Sequence, residues 1–322
     1  MMMRRIPSHR SVWPVALLAL LTAISLLPAT GHAADELIVA DQKGQQRALL
    51  EASGAASTNL PYAIKWVDFE AAAPLLQALA AGAVDTGIAG DGPFIFAWGA
   101  GVPIKAAYII PPRGGGKATA IVVAQNSPIT TPAQLSGKRI ATGRGSIGHL
   151  LLLRLLATGA IPPPAPQIVF LLPAQAKAAL DTGRVDAWST WEPYVSLEVV
   201  GHHGHIVVDA AGLMPNNSVF VASDAALAAK HAQIEDFYRR VTAAYEWGMT
   251  HQDQYARILA HQTGMPQDVA NAVAEKLIAA PVPVSRDVIR AEQVTLDTYK
   301  QAGLVHPTTS FENAFDLNGD TP

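Results

Sequence analysis

Residues 183–194 read GRVDAWSTWEPY, in which a glycine, a short apolar run and a proline follow in the order that predicts a strand leading into a helix. Residues 82–93, GAVDTGIAGDGP, have the same plan. Glycine suits the left-handed residue that ends a preceding helix, and proline suits the first turn of the next helix, where its missing N–H costs nothing. The sequence therefore predicts the same strand-to-helix unit twice.

Around these two units, strand-like and helix-like segments alternate from Glu36 to about residue 223. Such alternation is typical of an α/β fold with largely parallel strands. The predicted strands are ELIVADQ, AIKWVDF, VDTGIAG, PIKAAYII, TAIVVAQ, KRIATG, QIVFLL, VDAWST, HIVVDA and SVFVAS. Helices are predicted between most of them, including one that opens at WEPY, and the chain from Asp224 onward is predicted to be mainly helical.

The first 33 residues predict a cleaved secretory signal peptide. Three arginines precede the apolar run from Val12 to Leu27, and the small residues that follow favour cleavage after Ala33. The run contains Pro14 and is shorter than the ~20 apolar residues that span a bilayer. No later segment offers such a span either, so the sequence predicts export without membrane insertion.

The composition of the exported chain argues against several classes of function and attachment. Loss of the three leader arginines leaves 20 Lys and Arg against 26 Asp and Glu, a formal charge of −6, which argues against nucleic-acid binding. The chain has no cysteine, so it contains neither disulfides nor a lipidated cysteine anchor. Its length predicts two lobes rather than one core.

Four predicted strand-to-helix turns are candidate anion sites, because ligands of open α/β sheets bind beyond the carboxyl ends of the strands. Each turn presents free N–H groups and the positive end of a helix dipole. These turns are 42–44 with Gln42 and Gly44, 90–92 with Gly90 and Asp91, 144–146 with Gly145 and Ser146, and 191–193 with Trp191 and Glu192.

The individual side chains at these turns allow alternatives. Trp191 is expected to form an apolar wall of the crevice, whereas Trp188 within the strand is expected in the core. Asp91 and Glu192 either interact favourably with their helix dipoles or bond a hydroxyl or amine on the ligand. The Ser146 hydroxyl either caps the following helix or donates to an anion, and Arg144 supplies local positive charge.

The segment GHHGH at 201–205 offers three histidines that could bind a transition metal. No carboxylate or further ligand is suitably spaced nearby, so an exposed loop is the preferred interpretation and no metal site is predicted.

Several of these segments, in order, resemble the aliphatic sulfonate-binding proteins that feed ABC importers. They are DQKG at 41–44, GDGPFIFAWGAG near 90–101, VVAQNSPITTPAQLSGKRIA at 122–141, GSIGHLLLLRLLATG at 145–159 and VDAWSTWEPY at 185–194. Receptors for taurine, nitrate and thiamine precursors share the general plan. The resemblance covers most of the exported chain.

The resemblance implies a type II periplasmic binding protein, in which two α/β lobes close on a ligand in the cleft between them. Lobe one would comprise 35–124 and 221–322, and lobe two 125–220. The pocket would use Gln42, Gly44, Gly90, Asp91, Gly145 and Ser146, with Trp191 and Glu192 beside them. The chain departs from the family pattern at two places that bear on the size and head group of the ligand. Ile147 and Gly148 stand where these receptors tend to have serines, and Gln45 stands where a small residue is common.

The expected function is therefore a monomeric periplasmic receptor for an alkanesulfonate, a small organic anion, which hands its ligand to an ABC importer permease. Neither catalysis nor a cofactor is expected. The alternatives are a receptor for taurine, nitrate or a thiamine precursor, and an enzyme on the same fold. Against the enzyme, the chain has no cysteine nucleophile, and its only histidine at the proposed turns, His149, is not part of a convincing His-carboxylate pair.

Overall fold

The computed structural model describes residues 36–56 and 59–317, so the predicted signal peptide at 1–33 lies outside the described residues. The ten predicted strands form, and a two-residue strand is added near the end of the chain. The strands are β1 Glu36–Gln42, β2 Ala63–Phe69, β3 Thr86–Gly90, β4 Ile104–Ile110, β5 Thr119–Val123, β6 Arg139–Thr142, β7 Gln167–Phe170, β8 Ala187–Trp191, β9 His205–Asp209, β10 Ser218–Ser223 and β11 Val282–Pro283.

Helices fill the connections and most of the C-terminal third. They are α1 Gln45–Ser53, α2 Ala72–Ala80, α3 Asp91–Gly99, α4 Ile147–Ala157, α5 Pro173–Asp181, α6 Tyr194–Ser196, α7 Asp224–Thr250, α8 Gln252–Thr263, α9 Gln267–Leu277 and α10 Arg286–Gln301. The helix predicted at WEPY begins later than expected, because β8 continues through Trp191 and α6 starts at Tyr194.

The strands form two mixed sheets with corresponding strand orders. The first sheet has the order β11-β4-β10-β3-β1-β2, and the second has the order β7-β6-β8-β5-β9. In each sheet three parallel strands lie on one side of an antiparallel strand, which is β10 in the first sheet and β5 in the second.

The two predicted strand-to-helix units begin with GAVD at 82–85 and GRVD at 183–186, and these GxVD units occupy the same place in the two sheets. Gly82 and Gly183 both have positive φ, at 67° and 65°, as a helix-ending glycine should. Asp85 hydrogen-bonds the backbone N–H and C=O of Ile38 on β1, and Asp186 bonds those of Arg139 on β6 in the same way. The internal repeat seen in the sequence is therefore also a repeat of structure.

Sheet membership corrects the predicted lobe boundaries. Strand β5, which was expected in lobe one (35–124), pairs with β8 and β9 of the second sheet. Strand β10 begins at Ser218, inside the predicted lobe two (125–220), but pairs with β3 and β4 of the first sheet. The chain thus crosses between sheets at 111–118 and 210–217. The predicted boundary at 124 therefore falls after β5 rather than before it, whereas the predicted boundary at 220 falls within β10, the segment SVFVAS that was expected to return the chain to lobe one.

One side chain ties the two crossovers together. Asn216 donates from Nδ2 to the carbonyl of Gly116, at 3.1 Å, and accepts at Oδ1 from the hydroxyl of Thr119, at 2.8 Å. Asn216 has a φ of 58°, a left-handed conformation that asparagine tolerates better than most residues. The two connections between the sheets are therefore joined to each other.

Three apolar cores stabilise this arrangement. One lies between the first sheet and helices α1 and α7–α9, and one lies under α5 on the second sheet. The third continues from the first sheet through α2, α3 and α10 to α4 on the second, so buried contacts join the two halves. Within 36–56 and 59–317, every helix is too short or too polar to cross a membrane.

Candidate functional site

A cavity of about 500 Å³ lies between the two sheets, at the carboxyl ends of their parallel strands. Five of the predicted site residues line it: Gln42, Gly90, Gly145, Ser146 and Trp191. They follow or end β1, β3, β6 and β8, so residues from both sheets meet at one place. This is the position that the strand-end rule predicts for a ligand.

The other three predicted residues do not line this cavity. Gly44 precedes α1 with a φ of 68°, where it allows the sharp turn into that helix. Asp91 and Glu192 are buried, and their carboxylates bond protein groups. Of the two alternatives considered for these carboxylates, the structure therefore has the one in which they interact with protein groups.

Asp91 belongs to a buried carboxyl pair behind the cavity wall. Its oxygens accept from the backbone N–H groups of Gly92, at 2.6 Å, and Asn217, also at 2.6 Å. Asn217 donates in turn from its side chain to Glu292 on α10. Burial raises the pKa of Asp91 well above its usual range, and the negative charge of Glu292 raises it further.

The N–H groups at the start of α3 are consequently unavailable to an anion. Asp91 donates its own N–H to the carbonyl of Asn217, Gly92 donates to Asp91, and Pro93 has no N–H. Of the predicted anion-binding turns, this one carries out a structural role instead.

Glu192 forms an ion pair between the two halves of the molecule. One oxygen accepts from Lys276 Nζ of α9, at 2.6 Å, and from the Ser196 hydroxyl, at 2.9 Å; the other accepts from the Ser196 N–H. Burial raises the pKa of Glu192, and Lys276 opposes that rise. Glu192 also borders a smaller polar cavity of about 90 Å³, which shares Gln42, Gly90 and Trp191 with the large one.

Ser146 is used first as a helix cap. Its Oγ accepts from the N–H of His149, at 3.1 Å, and lies 3.2 Å from Thr142 Oγ1. Thr142 can donate to the carbonyl of Ser189, which leaves the Ser146 hydrogen to point toward Thr142 or into the cavity. The cap and donation to an anion are therefore compatible, because the cap uses only a lone pair.

The Gly145 N–H donates to Nδ1 of His149, at 3.1 Å. His149 is buried, and burial together with the positive charge of Arg144 lowers its pKa to about 4. His149 is thus a neutral, structural side chain that holds the turn before α4. The N–H groups of Ile147 and Gly148, which begin α4, have no acceptor among the described residues.

Arg144 is the only ionisable side chain that lines the large cavity in the described part of the chain. Its guanidinium lies 4.1 Å from the ring centre of Phe170, and no carboxylate within the described ranges pairs with it. Two further helices, α2 and α5, begin at the same wall and add positive dipole ends. The rest of the wall is mainly apolar.

Sequence reasoning missed the contribution of α2 and α5, although the rule that identified the other turns also applies to them. Both helices follow the carboxyl ends of parallel strands, β2 and β7. Their starts, AAAP and LLPAQ, carry no charged group, and the one polar side chain among them, Gln175, accepts from the N–H of Leu172. Only the sheet order shows that they face the same cleft.

Trp191 and Trp188 lie as predicted. Trp188 is buried under α5, and Trp191 lies at the wall of both cavities with its ring edge-on to Tyr194, at 5.8 Å between centres. The atom Cη2 of Trp191 would lie 4.0 Å from a Cβ built on Gly143. Trp191 therefore stands directly beside the turn that contains Ser146.

Contacts across the cleft hold its two sides together. Tyr194 of α6 donates to the carbonyl of Glu70, at 2.6 Å, and Tyr299 of α10 donates to the carbonyls of Gly145 and Ser146, at 3.4 and 3.3 Å. A Cβ on Gly145 would lie 2.4 Å from the ring of Phe96 on α3. The described structure is therefore one in which the two sides of the cleft touch.

The histidines of GHHGH do not come together with other ligands. His202 and His203 are exposed, and the ring of His205 bonds the carbonyl of Ile129. No cluster of three or more His, Cys, Asp or Glu side chains suited to a metal occurs in residues 36–56 and 59–317.

Comparison with known proteins agrees with this architecture. The family model described as NMT1/THI5 like matches residues 67–255. A protein of Escherichia coli (strain K12), provisionally named an aliphatic sulfonates-binding protein, is 31% identical over 299 residues, which cover 92% of this chain and 93% of that protein.

Two solved structures are also similar. The alkanesulfonate-binding protein SsuA from Xanthomonas axonopodis pv. citri, bound to MOPS, has a TM-score of 0.80 and 30% identity, with 88% of this chain and 99% of that chain covered. The periplasmic aliphatic sulphonate binding protein SsuA from Escherichia coli has a TM-score of 0.74 and 30% identity, with 87% and 91% covered. The chain thus has the fold expected from its motifs, and it belongs to the NMT1/THI5-like family as a homologue of the SsuA proteins.

Proposed function

We propose that this protein is a periplasmic solute-binding protein that captures an organic sulfonate and delivers it to an ABC importer permease. The observation that carries the proposal is the wall of the large cavity. Among the described residues that line it, Arg144 is the only one with an ionisable side chain, and helices α2, α4 and α5 begin there. A cavity with these features favours a single anionic group attached to an apolar body.

The relatives support the sulfonate as that anion. Two similar solved structures are named for alkanesulfonates or aliphatic sulphonates, and one of them holds MOPS, which is itself a sulfonate. The name of the second also places it in the periplasm, in agreement with the signal peptide predicted at 1–33.

The head group is proposed to bind where Gln42, Ser146 and Trp191 meet. Gln42 donates one amide hydrogen to the carbonyl of Ile88 and retains a second. Ser146 turns its hydroxyl hydrogen into the cavity, and the free N–H groups at the start of α4 add the helix dipole. Charge-assisted hydrogen bonds are worth roughly 1.5–3 kcal/mol each, so three or four approach the ~8 kcal/mol of micromolar binding.

Capture is proposed to be a hinge closure, with bending at the crossovers 111–118 and 210–217. The contacts of Tyr194, Lys276 and Tyr299 across the cleft form when the two sides meet. The permease then recognises the closed form, and the protein acts as a monomer without catalysis. The neutral, structurally engaged His149 supports binding rather than an acid–base role.

The test is thermal unfolding and titration calorimetry of the purified, ligand-stripped protein with alkanesulfonates, taurine, nitrate, a pyrimidine phosphate and zinc. A true ligand at ~100 times its dissociation constant adds about 2.7 kcal/mol of stability. We expect stabilisation by alkanesulfonates and a loss of about tenfold or more in affinity for Ser146→Ala and for Trp191→Ala, the size of one charge-assisted bond or aromatic contact.

The matched control is Trp247→Ala. Trp247 is partly exposed and stacks on His251, and it lines neither cleft cavity. Affinity should not change in this variant. Stabilisation by nitrate, the phosphate or zinc, with no response to any sulfonate, would contradict the proposal.

A further inference from the structure

Tyr299 of α10 is buried where the two halves of the molecule meet. Its ring is completely buried and packs edge-on against Phe96 of α3, at 5.3 Å between ring centres, and beside His149 of α4, at 6.5 Å. Gly92, in the first turn of α3, leaves room for the hydroxyl, because a Cβ there would lie 3.3 Å from Tyr299 Oη. The hydroxyl therefore stands between the starts of α3 and α4.

This hydroxyl bonds the turn 143–146, whose Ser146 is proposed to bind the sulfonate. It donates to the carbonyls of Gly145 and Ser146, at 3.4 and 3.3 Å. The Ser146 carbonyl also accepts from the N–H of Leu150, whereas Tyr299 is the only donor to the Gly145 carbonyl within the described residues. Tyr299 lines neither cleft cavity, so both carbonyl oxygens point toward α10 and away from a ligand.

The direction of these carbonyls decides what the turn presents to an anion. A carbonyl oxygen carries partial negative charge, so one that faced the cavity would repel a sulfonate. The C=O and N–H of a trans peptide point in opposite directions. The bond from Tyr299 to the Ser146 carbonyl therefore directs the N–H of Ile147 away from α10, on the side where Ile147 lines the large cavity.

Helix α10 is fixed to the first half of the molecule about two helical turns before Tyr299. Glu292, on the same face of α10, accepts from the Asn217 side chain at 2.6 Å. Asn217 ends the crossover 210–217, and its backbone bonds Asp91 at the start of α3. Tyr299 thus belongs to the half opposite the turn that it bonds. Under the hinge motion proposed above, its two hydrogen bonds form as the cleft closes.

We infer that Tyr299 is a positioning residue for the ligand, which acts through the turn 143–146 without touching the sulfonate. In the closed protein its hydroxyl holds this turn in the conformation that presents the Ser146 hydroxyl and the Ile147 N–H to the anion. In the open protein the hydroxyl and the two carbonyls bond water instead. This inference rests on the sulfonate-receptor function proposed above.

The first test is Tyr299→Phe, which removes the hydroxyl and keeps the ring that packs against Phe96 and His149. Calorimetry and stopped-flow fluorescence with ethanesulfonate and MOPS measure the affinity and the two rate constants. We expect the affinity to fall about threefold to tenfold, the size of one hydrogen bond, mainly through faster dissociation. Urea unfolding of the ligand-stripped variant should give the same free energy as the unmodified protein, because the open form lacks these bonds.

The matched control is Tyr238→Phe. Tyr238 is also buried, and its hydroxyl bonds Thr86 Oγ1, at 2.8 Å, within the first half and away from both cleft cavities. This variant should lower the free energy of unfolding of the ligand-stripped protein and leave the affinity for both sulfonates unchanged. The two substitutions therefore remove the same atom from a contact that depends on closure and from one that does not.

A double-mutant cycle tests whether Tyr299 acts through the turn. In a Ser146→Ala background, Tyr299→Phe should cost less affinity than in the unmodified protein, because one of the groups that Tyr299 positions is already missing. Tyr194→Phe is the comparison, since its hydroxyl also bonds across the cleft, to the Glu70 carbonyl, but not to this turn. Its loss of affinity should add to that of Ser146→Ala.

The outcomes separate this inference from the proposed function. If neither ethanesulfonate nor MOPS binds the unmodified protein, the proposed function and the inference both fail. If they bind, and Tyr299→Phe leaves the affinity and the dissociation rate unchanged, the function stands and the inference is overturned. Full additivity with Ser146→Ala, or equal destabilisation of the ligand-stripped and ligand-bound protein, also overturns it, because Tyr299 would then stabilise closure or the fold without positioning the turn.

Discussion

At the scale of single residues, Gly145 shows why the turn before α4 requires glycine. Its φ is 68°, and a Cβ would lie 2.4 Å from an atom of the Phe96 ring. The positive φ disfavours other residues in any conformation of the protein. The clash with Phe96 arises only when the two sides of the cleft are in contact. The two contributions can therefore be measured separately.

We expect Gly145→Ala to weaken ligand binding and stability more than Gly159→Ala does. Gly159 has a φ of 72° but nothing within 4 Å of its Cβ position, so its replacement measures backbone strain alone, about 1–3 kcal/mol. Gly145→Ala adds the clash with Phe96. Thermal unfolding and calorimetry of both variants provide the comparison, and equal effects on affinity would argue against a clash in the closed cleft.

Individual site residues were predictable from the sequence where strand ends decide their position. Gln42, Gly90, Ser146 and Trp191 follow directly from the pattern. The orientation of Asp91 and Glu192 did not, because their partners are distant in sequence: the N–H of Asn217 lies 126 residues from Asp91, and Lys276 lies 84 residues from Glu192. A carboxylate at a helix start looks the same in sequence whether it faces a ligand or a buried lysine.

At the scale of elements, Lys276 connects α9 to the turn before α6. It bonds both Glu192 and Ser196, and the Glu192 side chain is completely buried. Removal of one partner from a buried ion pair typically costs about 3–5 kcal/mol, and partial exposure of Lys276 should reduce this value. The pair is therefore a main electrostatic link across the cleft.

Lys276→Met should destabilise the protein more at pH 7 than at pH 5. Burial already raises the pKa of Glu192, so this carboxyl binds its proton more tightly in the folded state than in the unfolded state, and loss of Lys276 increases the difference. Stability contributed by a raised carboxyl pKa is present at low pH and is lost as pH rises. Urea unfolding at both pH values measures the difference, with the double variant Lys276→Met and Glu192→Gln as control. A loss that does not depend on pH would contradict this explanation.

Most elements were predictable because the apolar runs and the Gly and Pro positions agree with the helices and strands. The place of β5 in the second sheet was not, since this short apolar strand is suited to either sheet. Helices α8 and α9 were included in a mainly helical region without defined ends, because their boundaries depend on packing against α1 and on each other.

At the scale of the whole molecule, buried carboxyl groups couple stability to pH. Burial raises the pKa of Asp41 to about 7, opposed by the N–H groups of Arg47 and Gln46, and it also raises the pKa values of Asp91, Glu192 and Glu292. Buried His149 has the opposite effect, but its contribution is complete above the unfolded pKa of 6.5.

We therefore expect the free energy of unfolding to fall as pH rises from about 6.5 to 8. Over this range the unfolded carboxyls are already ionised, whereas Asp41 still holds part of a proton in the folded state. One proton corresponds to a slope of at most about 1.4 kcal/mol per pH unit. Asp41→Asn should reduce the slope measured by urea unfolding, and an unchanged slope would show that Asp41 is already ionised at pH 6.5.

The paired aspartates of the GxVD units have a consequence for how the chain reaches its native state. Asp85 fixes the register of β3 against β1, and Asp186 independently fixes that of β8 against β6. In each pair the aspartate and the strand residue that it bonds are 47 residues apart in the chain. Because loop closure over such short distances precedes more remote pairing, two separate nuclei can assemble early, and the insertion of β10 between β3 and β4 becomes a late step that unites distant parts of the chain.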